Sequence, residues 1–285
     1  MKALQVARWT LKEAVRRRLL LGLVALSAIF VGLFALGFAL LYRKVQDSIG
    51  ADALAGTLAA TVLTVLGLYA VQFLAAFLAL FLSVGAISAD VDSGMLHAVL
   101  ARPISRAQYL LGRWLAFASL LVVYVVGMAG ALLLIAHGVA DYSPVSPLRA
   151  LGLLILEVLF LVSVGMLGST LMPTLGNGVL TFSLFGLAWL GGIVELIGTA
   201  VNNVGMANVG TGVALVFPSD ALWRGASYFA QSPTFLAQTS AVGQVSGGIP
   251  FASTSPPTLA IVAWAAAYLV VVLALARATF ARRDL

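Results

Sequence analysis

The sequence contains no cysteine, and only 9% of its 285 residues are charged. Without cysteine, the chain forms no disulfide, no thiolate metal site and no cysteine nucleophile. A soluble globular protein carries about 25% charged residues. The chain therefore has too few charges to cover a water-facing surface of its size, which excludes a large soluble domain.

Lysine and histidine are also scarce. No lysine follows Lys44 and no G-K-[ST] motif precedes it, so the chain has no phosphate-binding loop of its own. The only histidines are His97 and His137, which fall on opposite sides of the membrane in the topology derived below, and there is no H-E-x-x-H motif. Asp90 and Asp92 are flanked by cytoplasmic signals and do not resemble the membrane-embedded pair of an aspartyl protease. We expect no catalytic residue, no metal site and no cofactor in this chain.

Hydrophobic residues make up 62% of the sequence, and its mean hydropathy is +1.08. A membrane-spanning helix needs about 20 apolar residues to cross a hydrocarbon core about 30 Å thick. Six runs reach or approach that length, at residues 19–41, 58–86, 109–136, 151–171, 178–201 and 259–276. The sequence therefore predicts an all-α, polytopic membrane protein with a single transmembrane domain over residues 1–285.

The basic residues predict the orientation of these spans. With the N-terminus in the cytoplasm, twelve of the 16 lysines and arginines lie on the cytoplasmic side. The other four are Arg43, Lys44, Arg149 and Arg224. Because basic residues concentrate in cytoplasmic loops, we expect both termini to be cytoplasmic in the inner (plasma) membrane. The same bias accounts for the net charge of +6 without nucleic-acid binding.

Residues 1–18 precede the first apolar run and predict an interfacial helix. At 100° per residue, one face of this helix is apolar and the other is basic. The apolar face comprises Ala3, Leu4, Ala7, Leu11, Ala14 and Val15. The basic face includes Arg8, Lys12 and Arg16, with Trp9 in its middle. This helix is either a simple anchor in the lipid headgroups or, as Trp9 suggests, also a contact for a cytoplasmic protein.

Two glutamates lie within predicted spans, where ionisable residues are costly and often functional. Glu157 is inside the fourth span, and Glu195 is late in the fifth, just after Gly191 and Gly192. Both could belong to a substrate or proton path. Alternatively, Glu157 is hydrogen-bonded to a neighbouring helix and Glu195 already lies at the outer interface.

The longest segment without a predicted span is residues 202–258, which the topology places outside the cytoplasm. Its apolar content predicts short helices that dip into the outer leaflet. One of these helices should follow Pro218, with Ser219 or Asp220 as its N-cap.

The segment between the second and third spans, SADVDSGMLHAVLARPISRAQYLLGRW, is the most distinctive part of the chain. Met95–Ala101 predicts a helix of about two turns along the membrane surface, which Pro103 ends. This pattern resembles the cytoplasmic hairpin of ABC type-2 permeases, the membrane subunits of ATP-binding-cassette exporters. The matching residues are Asp92, Gly94, Leu96, Leu100, Pro103, Ser105, Arg106, Gly112 and Arg113. The family more often has glutamate at Asp92, threonine at Met95 and lysine at Arg113.

The resemblance implies a function and partners. It implies a permease subunit that pairs with a second permease, as a homodimer or heterodimer, and binds two cytoplasmic ATPases that hold the ATP and Mg²⁺. A cytoplasmic coupling helix between spans 2 and 3 would dock the ATPases. The docking residues it implies are Asp90, Asp92, Gly94, Leu96, Leu100, Arg102, Pro103, Ser105 and Arg106. The chain length and the PSDALW patch look most like six-span permeases related to those serving copper-enzyme maturation.

Two other functions are compatible with the composition. One is an ion- or proton-coupled secondary transporter that uses Glu157, and the other is a membrane anchor for a soluble enzyme. Secondary transporters often contain inverted repeats and broken helices at mid-membrane, and the sequence displays neither. The predicted walls of alanine, leucine, valine, phenylalanine and glycine do not identify a substrate.

Overall fold

The computed structural model describes residues 2–16, 18–49, 53–94, 104–242 and 251–282, and within these residues it contains helices and no strand. The helices are α1 (Lys2–Arg16), α2 (Arg18–Ile49), α3 (Ala53–Ser83), α4 (Ser88–Asp92), α5 (Arg106–Ala140), α6 (Pro147–Leu171), α7 (Thr174–Ala200), α8 (Val204–Val216), α9 (Ser219–Ala230), α10 (Pro233–Val242) and α11 (Leu259–Arg282). The predicted all-α fold is confirmed.

Six helical segments of the described chain are long and apolar enough to cross a membrane. They correspond to α2, α3 with α4, α5, α6, α7 and α11, which confirms the six predicted spans. Most helices extend beyond the apolar runs; for example, α2 continues to Ile49 and α5 begins at Arg106. The extensions arise because backbone hydrogen bonding continues through the polar residues that flank each run.

Helices α3, α5 and α6 form the centre of the bundle. Their facing side chains, such as Ala76, Leu121 and Leu161, are completely buried in one continuous apolar core. Helices α9 and α11 pack against α6, whereas α2 contacts α3 and α5 along one side. One end of the bundle carries α1, α4 and the α6–α7 turn, and we call it the α1 end. The opposite end, with the α5–α6 turn and α9, is called the α9 end.

Helix α1 packs directly on α5. Its buried side chains are Val6, Ala7, Thr10 and Ala14. The predicted apolar face is therefore only partly correct: Ala7 and Ala14 lie on it, but Leu4 is 58% exposed. The contact with α5 rotates the buried face toward Val6 and Thr10.

The long segment 202–258 contains three helices in its described part, α8, α9 and α10. The amphipathic α9 buries Leu222 and Trp223 against the core, so this region is an integral part of the bundle. The predicted N-cap is wrong. Pro218 occupies the N-cap position without a side-chain hydrogen bond, and Ser219 and Asp220 form the first turn.

Candidate functional site

The second span is broken near the α1 end, and the break is held by side chains from other helices. Helix α3 ends at Ser83, and a turn over residues 84–87 separates it from α4. The amides of Ile87 and Ser88 donate to Oγ of Ser169 in α6, over 2.9 and 3.0 Å. Because lipid offers no hydrogen-bond partner, a broken helix in a membrane requires such bonds.

Asn177 of α7 supports the same break. Its Nδ2 donates to the carbonyl oxygens of Val84 and Gly165, both over 2.7 Å. The Asn177 side chain is completely buried. One amide thus joins α7 to the turn and to α6.

Arg113 of α5 provides the third support. Its buried guanidinium is ion-paired with Asp90 of α4 and donates to the carbonyl oxygen of Ala86. The hydroxyl of Tyr109 also donates to Asp90, and Glu13 of α1 lies 3.8 Å from the guanidinium. These contacts bring α1, α4 and α5 together around one buried charge pair. We call residues 84–92 with Arg113, Ser169 and Asn177 the α3–α4 joint.

The predicted docking residues occupy different environments around this joint. Asp90 is buried in the ion pair with Arg113, whereas Asp92 is exposed. Gly94 has a φ of 70°, a left-handed conformation that favours glycine directly after α4. Leu96, Leu100, Arg102 and Pro103 lie outside the described residues, as does the predicted helix Met95–Ala101.

Ser105 and Arg106 hold the chain where it re-enters the bundle. Ser105 is the N-cap of α5 and forms a reciprocal capping box with Gln108. Arg106 donates to the carbonyl oxygens of Phe280 and Ala281 at the end of α11, over 3.4 and 3.2 Å. The docking role of these two residues remains a prediction. Both are placed to fix the point at which the segment between the second and third spans joins α5.

The predicted interfacial residues that the structure describes lie on the exposed side of α1. Arg8, Trp9 and Lys12 are exposed on α1, on the side away from α5, and the side chain of Arg16 lies outside the described residues. The opposite side of α1 approaches α5 at Gly112. A Cβ at Gly112 would lie 2.6 Å from both the Ala3 carbonyl oxygen and the Val6 Cβ. Only glycine allows α1 to lie this close to α5.

Glu157 is buried in the centre of the bundle. It lies ten residues into α6, about 15 Å along the helix axis, and is 1% exposed. Its Oε1 accepts a hydrogen bond from Nε2 of Gln72 in α3, over 2.7 Å. Glu157 is thus bonded to a neighbouring helix, as one of the two sequence interpretations expected, and its part in a substrate path is addressed below.

Glu195 belongs to an ionic cluster at the α9 end. Its Oε2 is 2.5 Å from Nη2 of Arg224 in α9, and the same guanidinium lies 2.8 Å from Oδ2 of Asp220. Helix α9 can place Asp220 there because Gly192 faces it; a Cβ at Gly192 would lie 2.0 Å from the carboxylate. The cluster fastens α9 to the outer part of α7.

The pKa of Asp220 in this cluster is shifted. Burial raises its pKa to about 6, although Arg224 acts in the opposite direction, and Glu195 raises it further. The carboxyl group therefore titrates near neutral pH, whereas an unperturbed aspartate titrates near 3.8.

We expect this shift to give the wild-type protein a pH-dependent stability that Asp220→Asn lacks. Because the folded-state pKa is raised, the ionised carboxylate disfavours folding above pH 6, and this cost disappears as the pH falls from about 6 to about 4. The melting temperature of the wild-type protein should therefore rise relative to that of Asp220→Asn between pH 7.5 and pH 5. A difference between the two melting temperatures that stays constant with pH would contradict the shift.

Several residues of the joint were not predicted as site residues. The sequence analysis did not single out Ser169 or Asn177, and it named Arg113 only as part of the hairpin pattern. An arginine four residues after a tyrosine at the start of a span was the available signal, since such a charge needs a buried partner. Among the residues that the structure describes, no group of acidic or histidine side chains could hold a metal ion.

The fold and the joint define a polytopic, α-helical membrane protein with an N-terminal surface helix and a broken second span. The family model for the ABC-2 family transporter protein matches residues 4–285, so the chain belongs to the ABC-2 transporter family. It is a membrane permease component of an ABC transporter. No curated protein matches the sequence.

Proposed function

We propose that this chain is the permease subunit of an ATP-driven exporter and that the α3–α4 joint transmits movement from partner ATPases to the spans. The permease would form a dimer, most simply a homodimer. Two cytoplasmic ATPases, which hold ATP and Mg²⁺, would dock on it, each at the segment between the second and third spans of one subunit. The supporting observation is the position of the joint, directly before the predicted docking helix Met95–Ala101 and bonded to α5, α6 and α7.

The α3–α4 joint would transmit movement because buried hydrogen bonds and a buried ion pair connect it to the neighbouring helices. A displacement of α4 acts on α5 through Asp90 and Arg113, and on α6 through Ser169. Removing one partner of a buried ion pair costs about 3–5 kcal/mol, so the pair should move as a unit rather than separate. Glu13 extends the connection to α1, which would move with α5.

In the proposed orientation, the spans cross the plasma (inner) membrane and the α1 end faces the cytoplasm. The distribution of lysine and arginine supports this orientation. Asp92 and the backbone at Gly94 then face the ATPase, whereas Asp90 acts from within the joint as a positioning residue. Arg8, Trp9 and Lys12 would lie at the cytoplasmic headgroups.

Replacing Leu96 and Leu100 together by aspartate should release the ATPase while the permease still inserts. Both leucines would lie on one face of the predicted docking helix, four residues apart, and two carboxylates would prevent the burial of that face. The measurement is co-purification of the ATPase that accompanies the wild-type permease, identified by mass spectrometry through its phosphate-binding loop.

The control is Leu175→Asp, which changes a leucine that is 82% exposed at the α1 end. An acidic residue in the first turn of α7 is also favourable for the helix. This variant should retain the ATPase. If the Leu96 and Leu100 variant inserts and still binds the ATPase as tightly as Leu175→Asp does, the docking role is wrong.

A further inference from the structure

Two acceptor atoms in the middle of the bundle have no hydrogen-bond donor within the described residues. They are Oε1 of Gln72 and Oε2 of Glu157. The two side chains are bonded to each other through their other polar atoms, and they are 5% and 1% exposed. A buried acceptor without a donor is unfavourable, and lipid supplies no donor. This pair therefore has the chemistry to bind a ligand that donates hydrogen bonds.

The amide of Gln72 borders a narrow cleft between α3, α7 and α9. The cleft is lined by Tyr69, Gln72, Phe185, Trp189, Asp220 and Trp223. The faces of aromatic rings attract cations, and the attraction is stronger where water is excluded. Aromatic walls together with the Gln72 amide and the Asp220 carboxylate suit a cationic group.

The charges around the cleft also favour a cation. Asp220 interacts electrostatically with Glu157, and Glu195 adds a third carboxylate nearby. Among the described side chains, Arg224 is the cation paired with this cluster, and it contacts Asp220 and Glu195. Glu157 has no ion-pair partner in the described part of the chain, so a bound cation would supply the positive charge that this carboxylate lacks.

Helix α7 is the wall of the cleft that is least embedded in the bundle. Only seven of its 27 residues are buried. Beside the cleft, α7 is held by the hydrogen bond from Trp189 to the Tyr69 hydroxyl and by the ion pair between Glu195 and Arg224. Ring contacts between α7 and α3 hold the same wall. The cleft is closed in this structure, and a ligand could enter only after these contacts separate.

We propose that this cleft binds a protonated amine, whose ammonium group donates hydrogen bonds to Gln72 and Glu157 while its apolar part contacts Tyr69, Trp189 and Trp223. The inference rests on the proposed function, because it assigns a substrate class to the exporter. Gln72 and Glu157 would select for the charge, and the aromatic rings would bind the rest of the molecule.

Tryptophan fluorescence provides a direct test, because Trp189 and Trp223 line the cleft. The full permease in lipid nanodiscs is titrated with phenethylammonium and, separately, with the neutral 2-phenylethanol. We expect a saturable fluorescence change with the ammonium compound and only non-saturable partitioning with the alcohol. Glu157→Gln should weaken ammonium binding by about tenfold or more, the loss expected for one charge-assisted hydrogen bond.

Two further variants keep the result interpretable. Gln72→Met removes the second acceptor and should also weaken binding, which covers the case in which Glu157→Gln does not fold. Asp47→Asn changes an exposed carboxylate of α2, a helix that does not line the cleft, and should bind like the wild type. The proposal is overturned if ammonium and alcohol give the same response, or if a folded Glu157→Gln or Gln72→Met variant binds with wild-type affinity.

The titration needs no ATPase, so its outcome is independent of the docking experiment. Ammonium binding that persists when the Leu96 and Leu100 variant retains its ATPase would contradict the docking role alone. Release of the ATPase without any saturable ammonium binding would contradict the cleft assignment alone.

Discussion

Replacing Arg113 by methionine is expected to abolish ATP-driven transport and to destabilise the permease. Methionine fills much of the same space but leaves the Asp90 carboxylate buried without a cation and the Ala86 carbonyl oxygen without its donor. Breaking a buried ion pair in this way costs about 3–5 kcal/mol. The measurements are the melting temperature of the permease and the ATP turnover of the complex with its ATPase.

A double variant separates stability from transmission. Combining Arg113→Met with Asp90→Leu removes both charges, and replacing a whole buried pair by apolar residues is often neutral for stability. We expect the double variant to regain much of its melting temperature without regaining transport. Arg277→Met, which changes an exposed arginine of α11 at the same end, should leave both properties unchanged. Recovery of transport in the double variant would show that the ion pair does not transmit movement.

Replacing Gly112 by alanine is expected to displace α1 from α5 and to reduce the ATP turnover that the permease stimulates. The added Cβ would lie 2.6 Å from a backbone oxygen of α1, so the whole helix must shift. Burial of Val6 and Thr10 would be lost with this shift, and the distance between Glu13 and Arg113 would increase. The measurements are accessibility of Thr10→Cys to a water-soluble maleimide, which should rise, and the ATP turnover of the complex.

Gly127→Ala is the matched control, because it makes the same substitution in the same helix. A Cβ at Gly127 meets no atom within 4 Å, and alanine favours a helix over glycine by about 1 kcal/mol. This variant should therefore be neutral or slightly stabilising. Equal behaviour of the two variants would mean that the close approach at Gly112 has no role in coupling.

The six spans could be predicted because hydrophobic length is a local property of the sequence. The break after Ser83 could not, since Val84 and Ala86 continue the apolar run and the turn is stabilised by residues far along the chain. Ser169 and Asn177 lie more than 80 residues from the amides and the Val84 carbonyl that they bond in this turn. A sequence pattern cannot reveal such pairs without knowledge of how the spans pack.

The partners of several candidate site residues were also hidden in the sequence, because they lie in other helices. Glu157 was predicted as unusual because a carboxylate within a span is rare, but its partner Gln72 lies in another span. The cap predicted at Ser219 or Asp220 was wrong because Asp220 instead forms an ion pair with Arg224 one turn later. Tertiary packing at Gly192, rather than local capping, determines the position of this aspartate.

The bonds from Arg106 to the carbonyls of Phe280 and Ala281 have a practical consequence for how the protein is handled. They place the last turn of α11 against Arg106, which is the first residue of α5 and one of the predicted docking residues. An affinity tag or fluorescent protein attached at the end of α11 would lie beside the surface that an ATPase is proposed to occupy. A label on the turn between α5 and α6, at the opposite end of the bundle, would leave that surface accessible.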